Sequence, residues 1–169
     1  MPDSAKPVYL VDAAVDPVVV RIEGRACFQN SACLGEFITE MTGKARTRFV
    51  LDFARCTSMD STFLGVLAGI ALDLRTKAAD GSLVLCRVGQ RNLELINNLG
   101  LNQLLTVDTG EAAAAGDCRA ALDCNQKLGE LESARLVLQA HENLVAADES
   151  NRARFQDVLT FLRGRVNQG

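Results

Sequence analysis

The chain has 169 residues, of which 48% are hydrophobic and 23% charged, and its formal net charge is −3. These values are typical of a globular protein with one domain, or one small domain and an extension, that folds without a metal or a disulfide. The acidic balance argues against a nucleic-acid partner, and the single histidine excludes a multi-histidine metal site. We therefore expect no metal and no other cofactor.

Hydropathy and the N-terminus predict the compartment. No apolar run approaches the roughly 20 residues that a membrane-spanning helix requires, and residues 1–6 lack the apolar core of a signal peptide. We therefore expect a cytoplasmic protein without a membrane partner. In that reducing compartment the cysteines are expected to be free thiols that act as small buried hydrophobic residues. A redox pair between Cys27 and Cys33 is the alternative.

Short apolar runs predict strands. The runs beginning at Arg48 and Ser82 are almost continuously apolar, which favours central strands covered by helices. The first two runs can form a hairpin across Asp16-Pro17. In chain order, the predicted strands are Val8–Val11, Val18–Ile22, Arg48–Phe53, Ser82–Val88 and Leu104–Val107.

Apolar residues at helical spacing fill the gaps between these strands. Asn30 or Ser31 can cap the first helix, and Gly100 stands where a left-handed cap is expected after the third. The resulting order, β-β-α-β-α-β-α-β, predicts parallel strand pairs joined by right-handed crossovers. The apolar stripes are Leu34, Phe37, Ile38 and Met41, then Phe63, Leu67, Ile70 and Leu74, then Leu93, Ile96 and Leu99.

The composition changes near residues 111–116, beyond which no strand signal remains. We predict an α/β domain over residues 1–116 and a C-terminal helical hairpin over residues 117–169, with a turn at residues 148–151. The apolar stripes of the hairpin must pack on the domain, on each other or on a second subunit, so a homodimer is one option. These stripes are Leu128, Leu131, Leu138 and Val145, then Phe155, Val158, Leu159 and Leu162.

A polar loop between the predicted strand Arg48–Phe53 and the following helix contains more helix-capping residues than one helix end requires. A phosphate on a hydroxyl there would face free backbone N–H groups and the positive end of the helix dipole. It would also add a charge of about −1.5 to −2 and repel a partner packed on that surface. The alternative is that these residues only cap the helix. They are Thr57, Ser58, Asp60, Ser61 and Thr62.

The segment Met59–Leu67, M-D-S-T-F-L-G-V-L, resembles the phosphorylation motif of STAS domains of the anti-sigma factor antagonist type. The resemblance covers roughly residues 7–112 and implies an α/β, STAS-like fold, a small mixed sheet with flanking helices, followed here by the helical hairpin. In the family, the second hydroxyl residue of the D-S-[ST] triplet is the phosphoacceptor. The resemblance therefore implies Thr62 as the phosphoacceptor, with Ser61 adjacent and Asp60 preceding.

The segment departs from the family pattern at two positions. Phe63 replaces the glycine that usually follows the phosphoacceptor, so we expect an exposed aromatic where a partner docks. The segment Gly24-Arg25-Ala26-Cys27 corresponds to the family segment G-E-L-D, and its last residue, Cys27, replaces the usual aspartate. The resemblance thus implies a partner-binding surface formed by Asp60, Phe63 and Cys27.

By this resemblance the protein is a non-enzymatic switch in transcription regulation. The unphosphorylated form would bind an anti-sigma factor that is a serine/threonine kinase, and a metal-dependent serine/threonine phosphatase would reset it. The alternative is a constitutive interaction or dimerisation module without phosphorylation, which the departures at Cys27 and Phe63 favour. His141, beside Glu142, is expected to form a surface or interface pair, and no base supports an enzyme that uses a cysteine thiolate.

Overall fold

A computed structural model of the protein describes residues 8–108 and 118–168. Its strands are β1 (Tyr9–Asp12), β2 (Val18–Ala26), β3 (Arg48–Met59), β4 (Ser82–Cys86), β5 (Thr106–Asp108) and β6 (Ala120–Ala121). In the described residues they form a six-stranded sheet in the order β5-β4-β3-β2-β1-β6. β1 is antiparallel to β2 and β6, whereas β2, β3, β4 and β5 run parallel. The predicted α/β fold with a mixed sheet is confirmed.

Helices follow the strands in the predicted order. They are α1 (Phe28–Gly43), α2 (Ser61–Lys77), α3 (Gln90–Asn98), α4 (Glu130–Ala147), α5 (Asn151–Arg154) and α6 (Gln156–Gln168), with a 3₁₀ turn at Leu101–Gln103. Gly100 has a φ of 70°, as expected for the left-handed residue after α3.

Alternate residues of β3 form the centre of the hydrophobic core. Phe49, Leu51 and Phe53 are almost fully buried, in one cluster with Leu64 and Leu67 of α2. Each such side chain contributes about 1.5–3 kcal/mol to stability on burial. This packing holds the N-terminal end of α2 at the edge of the sheet where β3 ends.

The polar residues after Phe53 form a strand rather than the predicted loop. β3 continues to Met59 because residues 55–59 pair with the second half of β2, with register shifts on either side of Gly24. Thr57 and Ser58 therefore lie in a strand and cannot cap α2. We did not predict this extension of the strand because pairing with β2, and not the apolar content of residues 55–59, determines it.

The C-terminal region also contributes to the sheet. β6, which we did not predict, pairs Ala120 and Ala121 with Val11 and Leu10 of β1. A strand of two residues carries no periodicity that a sequence could reveal. The predicted domain boundary at residue 116 lies outside the described residues.

The helical hairpin packs on the rest of the chain. α4 packs on α2, and α6 packs on α4. Leu159 and Leu162 of α6 are buried as predicted, but Val158 is 40% exposed. On α4 the buried face matches the predicted stripe only in part: Val145 is buried, whereas Leu131 and Leu138 are half-buried. The buried residues of α4 are Ala134, Ala140, His141, Leu144 and Val145.

The prediction that the chain has no disulfide is wrong. Cys33 of α1 is bonded to Cys124, which follows β6, across a separation of 91 residues. Cys27 is a free thiol, so the alternative pairing of Cys27 with Cys33 is wrong too. Cys86 and Cys118 are buried and outside any disulfide, as expected. The pairing depends on β6, which places the following segment beside α1.

Candidate modification and docking site

Asp60 lies between β3 and α2, and its carboxylate caps the first turns of two helices. Its Oδ1 accepts a hydrogen bond of 2.8 Å from the backbone N–H of Phe63 in α2. Its Oδ2 accepts one of 2.9 Å from the backbone N–H of Phe28, the first residue of α1. A carboxylate there satisfies free N–H groups and complements the helix dipole. Asp60, one of the five capping candidates in the sequence, thus caps α2 and also positions α1 beside it.

Cys27 is the N-cap of α1, so this helix begins earlier than the predicted caps Asn30 or Ser31 allow. The Cys27 backbone N–H donates to Oδ1 of Asn30 at 3.0 Å, and the hydroxyl of Tyr9 donates to the same oxygen at 2.9 Å. Burial, followed by nearby Cys27, Cys56 and Asp60, raises the pKa of Tyr9 far above its ordinary value. Tyr9 therefore remains a neutral donor that supports the start of α1 from within the core.

Ser61, the first residue of α2, contacts the C-terminal hairpin. Its Oγ lies 3.0 Å from Nε2 of His141, and Nδ1 of His141 lies 2.7 Å from the carbonyl oxygen of Val137. A carbonyl can only accept, so Nδ1 carries a proton, and when Nε2 carries none the Ser61 hydroxyl is the donor to it. His141 is 4% exposed and packs edge-on against Phe155. Of the two expectations for His141, a surface or an interface residue, the surface one is therefore wrong, because His141 is buried where α4 meets α2.

Thr62 is the second residue of α2, as predicted, but its side chain is only 5% exposed. A phosphoacceptor needs a hydroxyl that a kinase can reach, and in this conformation the buried side chain of Thr62 does not meet that requirement. Ser61, which is half-buried, is the more accessible of the two hydroxyls. The neighbouring Ser61 contacts His141, 80 residues away, so the exposure of side chains at this end of α2 depends partly on a segment that the local sequence could not reveal.

Phe63 is fully buried, and its ring packs edge-on against Phe53 with the centroids 6.4 Å apart. The prediction of an exposed aromatic at Phe63 is therefore wrong, because this position of α2 faces the sheet. The exposed aromatic at this edge is Phe28, whose side chain is 44% exposed and whose N–H is bound to Asp60. We did not select Phe28, although its place directly after Cys27 was a signal.

Two glycines of α2 allow α4 to approach closely. A Cβ atom added to Gly65 would overlap the backbone carbonyl of Ala140, and one added to Gly69 would overlap the side chain of Asn143. The Asn143 side-chain amide also donates a hydrogen bond of 3.1 Å to the carbonyl of Gly65. Glycine weakens a helix interior by about 1 kcal/mol relative to alanine. The pair at i, i+4 was a signal for close packing that we did not use.

The turn between α4 and α5 anchors the hairpin to the end of α3. Asn151 is fully buried, and its side-chain amide donates to the carbonyls of Leu99 (2.9 Å) and Leu144 (2.8 Å). Its Oδ1 is buried without a hydrogen-bond partner among the described residues. A Cβ atom added to Gly100 would overlap the side chain of Asp148, so a larger residue would not fit there without a shift. The hairpin thus docks at two places on the domain, α2 and the end of α3.

A buried ion pair lies in the sheet. Asp52 of β3 is 1% exposed, accepts hydrogen bonds from the Arg87 guanidinium, and has Nε of Arg21 at 3.9 Å. Burial by itself would raise the pKa of Asp52, but the hydrogen bonds from Arg87 and from the Ala54 N–H, with the charges of Arg87 and Arg21, hold that pKa below its ordinary value. Asp52 is therefore an ionised structural residue.

Other kinds of site find little support. Across residues 8–108 and 118–168, no group of three or more His, Cys, Asp or Glu side chains could hold a metal ion. None of the helices in those ranges has the length and apolar character needed to cross a membrane.

Comparison with known proteins relates this fold to a family. Residues 9–106 match the family model described as Mlab, STAS domain. The match therefore spans β1 to the start of β5 and ends before the helical hairpin. No curated protein matches the chain significantly in sequence.

Solved structures share the fold at low sequence identity. The Thermotoga maritima protein TM1081, a candidate anti-sigma factor antagonist, is 16% identical with a TM-score of 0.54, over 66% of this chain and 95% of its own. The Bacillus cell fate determinant SpoIIAA in its phosphorylated form is 20% identical with a TM-score of 0.50, over 62% of this chain and 95% of its own. Unphosphorylated SpoIIAA, an anti-sigma factor antagonist, is 18% identical with a TM-score of 0.49, over 60% of this chain and 88% of its own. At these sequence identities the structural similarity is evidence for a shared fold alone.

Proposed function

This chain belongs to the STAS domain family, and on that basis we propose that it is an anti-sigma factor antagonist that acts as a phosphorylation-controlled partner switch. The unphosphorylated form binds an anti-sigma factor that is also a serine/threonine kinase, and so frees a sigma factor for transcription. A serine/threonine phosphatase resets the switch. The role is non-catalytic, requires no cofactor and operates in the cytoplasm, without nucleic acid or membrane as a partner.

The observation that carries this proposal is the position of Asp60. Its carboxylate joins the starts of α1 and α2, so that Ser61 and Thr62 stand at a helix N-terminus beside Cys27 and Phe28. A phosphate there is stabilised by the helix dipole and by backbone N–H groups. The same charge next to an exposed aromatic opposes the docking of a partner, which is the electrostatic basis of a switch.

We propose Thr62 and Ser61 as the phosphoacceptor candidates. Thr62 occupies the motif position, whereas Ser61 is the more exposed in this conformation. The kinase would transfer the γ-phosphoryl group of a nucleoside triphosphate to the hydroxyl oxygen. An O–P bond forms, the bond to the β-phosphate breaks, a nucleoside diphosphate leaves and the hydroxyl proton is released. The proposed docking surface consists of Asp60, Cys27 and Phe28, with buried Phe63 supporting it from below.

Phosphopeptide mapping of the protein from its native host tests this proposal. We expect one phosphate on the peptide that contains Ser61 and Thr62, lost in Ser61→Ala or in Thr62→Val but retained in Thr57→Ala. Thr57 is the matched control because it is an exposed hydroxyl on the preceding strand. Absence of phosphate from this peptide under every growth condition would contradict the proposal.

The second candidate function is a constitutive interaction or dimerisation module, which the low exposure of Thr62 and the bond between Ser61 and His141 favour. In this version, residues 1–116 form the STAS domain and residues 117–169 an extension that supports a homodimer through Val158 and Phe161, which are 40% and 66% exposed. Light scattering tests the dimer: a dimer that Phe161→Glu converts to a monomer supports the dimerisation version of the module, and a wild-type monomer excludes that version.

A further inference from the structure

We infer that His141 is the general base for phosphorylation of Ser61, and that Ser61 is therefore the phosphoacceptor of this chain. The inference rests on the proposed function for the reaction itself. It adds the hydroxyl that is modified and the residue that accepts the proton. It requires no movement of the C-terminal hairpin, because α4 brings His141 to Ser61 while it stays packed on α2.

Ser61 and His141 have the geometry of a nucleophile and its base. Oγ of Ser61 lies 3.0 Å from Nε2 of His141, within the range of about 2.6–3.2 Å from which a base removes a proton. On the other side of the ring, Nδ1 lies 2.7 Å from the carbonyl oxygen of Val137. This carbonyl holds a proton on Nδ1, so that Nε2 is the nitrogen that can accept one. A nucleophile, a base and a third group that orients the base form the arrangement that activates a serine hydroxyl.

Packing holds the His141 ring in place. The ring is 4% exposed and lies edge-on against Phe155, with the ring centroids 4.8 Å apart. The helix that carries it is fixed as well, since Leu144 of α4 belongs to the main core cluster. A base acts efficiently when its nitrogen is kept in one position relative to the reacting hydroxyl, and a mobile surface histidine would not meet this condition.

The neighbouring residues of the motif are less suited to either role. The Asp60 carboxylate is adjacent in the chain, but its two oxygens accept the backbone N–H groups of Phe63 and Phe28. The side chain of Thr62 is 5% exposed, whereas that of Ser61 is half-buried. The hydroxyl that contacts the base is therefore also the more accessible of the two.

Phosphoryl transfer to Ser61 proceeds with His141 as the proton acceptor. Oγ attacks the γ-phosphorus of the nucleoside triphosphate that the kinase binds, and a new O–P bond forms. The bond between the γ-phosphorus and the bridging oxygen breaks, and the nucleoside diphosphate leaves. The hydroxyl proton moves to Nε2, which makes the ring an imidazolium. The bond from Nδ1–H to the Val137 carbonyl is kept, because the added proton lies on the other side of the ring.

The product of this step is an ion pair between α2 and α4. A phosphoseryl group carries a charge of about −1.5 to −2, and Nε2–H of the imidazolium would donate a charge-assisted hydrogen bond to one of its oxygens. A buried imidazolium is costly unless it is paired, and the phosphate supplies that partner. Phosphorylation therefore strengthens the contact between Ser61 and His141 instead of breaking it.

A purely structural hydrogen bond between Ser61 and His141 would favour the constitutive module instead. His141→Gln separates these two interpretations, because the amide oxygen of glutamine can still accept a hydrogen bond from Ser61 but cannot take its proton. A structural bond tolerates this change, whereas a general base does not.

Labelling of the full-length chain with diisopropyl fluorophosphate measures the reactivity of Ser61 without a kinase. Oγ displaces fluoride from phosphorus, and the hydroxyl proton goes to the base. We expect label on Ser61, none in Ser61→Ala, and a rate at least about 100-fold lower in His141→Gln. Thr57→Ala, which removes an exposed hydroxyl from β3, is the control and should react at the wild-type rate. Equal rates in His141→Gln and the wild type, or no label on Ser61, would overturn the inference.

The nitrogen chemical shifts of the single histidine provide a second measurement, which leaves His141 intact. In the full-length protein with phosphoserine installed at residue 61, we expect both ring nitrogens to be protonated at neutral pH. In the unmodified protein, and with phosphoserine installed at residue 57, we expect Nε2 to stay unprotonated. A ring that remains neutral beside the phosphoserine at residue 61 would contradict the inference.

Failure of this inference and failure of the proposed function give different results. Phosphate found only on Thr62 in the native host would overturn the role of Ser61 and His141 and leave the proposed function standing. Absence of phosphate from both hydroxyls would contradict the proposed function, while the labelling rate and the ring shifts would still decide the role of His141.

Discussion

Oδ2 of Asp60 accepts a hydrogen bond of 2.9 Å from the backbone N–H of Phe28, which precedes it by 32 residues. Because Oδ1 of the same carboxylate caps α2 through the Phe63 N–H, one side chain determines how the starts of two helices meet. This edge carries Cys27, Phe28 and Ser61, and it is where the modification and docking proposals converge.

Substitution of Asp60 should destabilise both helix starts. Asp60→Ala removes two acceptors for helical N–H groups, and we expect the free energy of unfolding to fall by about 1–3 kcal/mol. Asp60→Asn retains one acceptor oxygen, so we expect an intermediate loss. Urea denaturation measures both variants, and an Asp60→Ala midpoint equal to that of the wild type would disprove the double cap.

Asp52 should make stability fall in acid. Its pKa is lower in the folded state than the ordinary value of about 3.9, so its ionised form contributes stability that is fully present above that value and is lost as the pH falls through the native pKa. Asp52→Asn should lower stability at neutral pH and remove this part of the acid dependence. Asp73→Asn, an exposed residue paired with Lys77, is the control and should leave the dependence unchanged.

The disulfide between Cys33 and Cys124 should stabilise the fold in the absence of reductant. It closes a loop with a separation of 91 residues, and loss of such a crosslink costs about 2–4 kcal/mol. We expect dithiothreitol to lower the melting temperature of the wild type and to have no effect on the double variant Cys33→Ser, Cys124→Ser. A wild-type melting temperature insensitive to dithiothreitol would show that the crosslink does not form in solution.

Phe28 should be an anchor for the partner. Its side chain is 44% exposed beside Asp60, so Phe28→Ala should leave folding stability almost unchanged while affinity for the anti-sigma factor kinase falls about tenfold or more. Phe161→Ala is the matched control, because Phe161 is 66% exposed on α6, away from this edge. Isothermal titration calorimetry compares them, and equal affinities of Phe28→Ala and the wild type would remove Phe28 from the docking surface.

Local patterns in the sequence determined the order of strands and helices up to β5, the left-handed Gly100 and the cap at Asp60. Apolar periodicity and capping preferences act over one or two turns, so they can be recognised without knowledge of the fold. The motif around Asp60 also directed attention to the edge of the sheet at which the proposed site lies.

The tertiary structure alone decided which strand residues pair, which cysteines bond and which side chains are exposed at that edge. The second half of β3, the pairing of Cys33 with Cys124 and the contact of Ser61 with His141 all depend on segments distant in the chain. Phe63 faces the core and Phe28 faces solvent because of how α1 and α2 lie on the sheet, although both are phenylalanines in a first helical turn. Residue type predicts that a side chain prefers burial, but the surface that covers it is supplied by the rest of the fold.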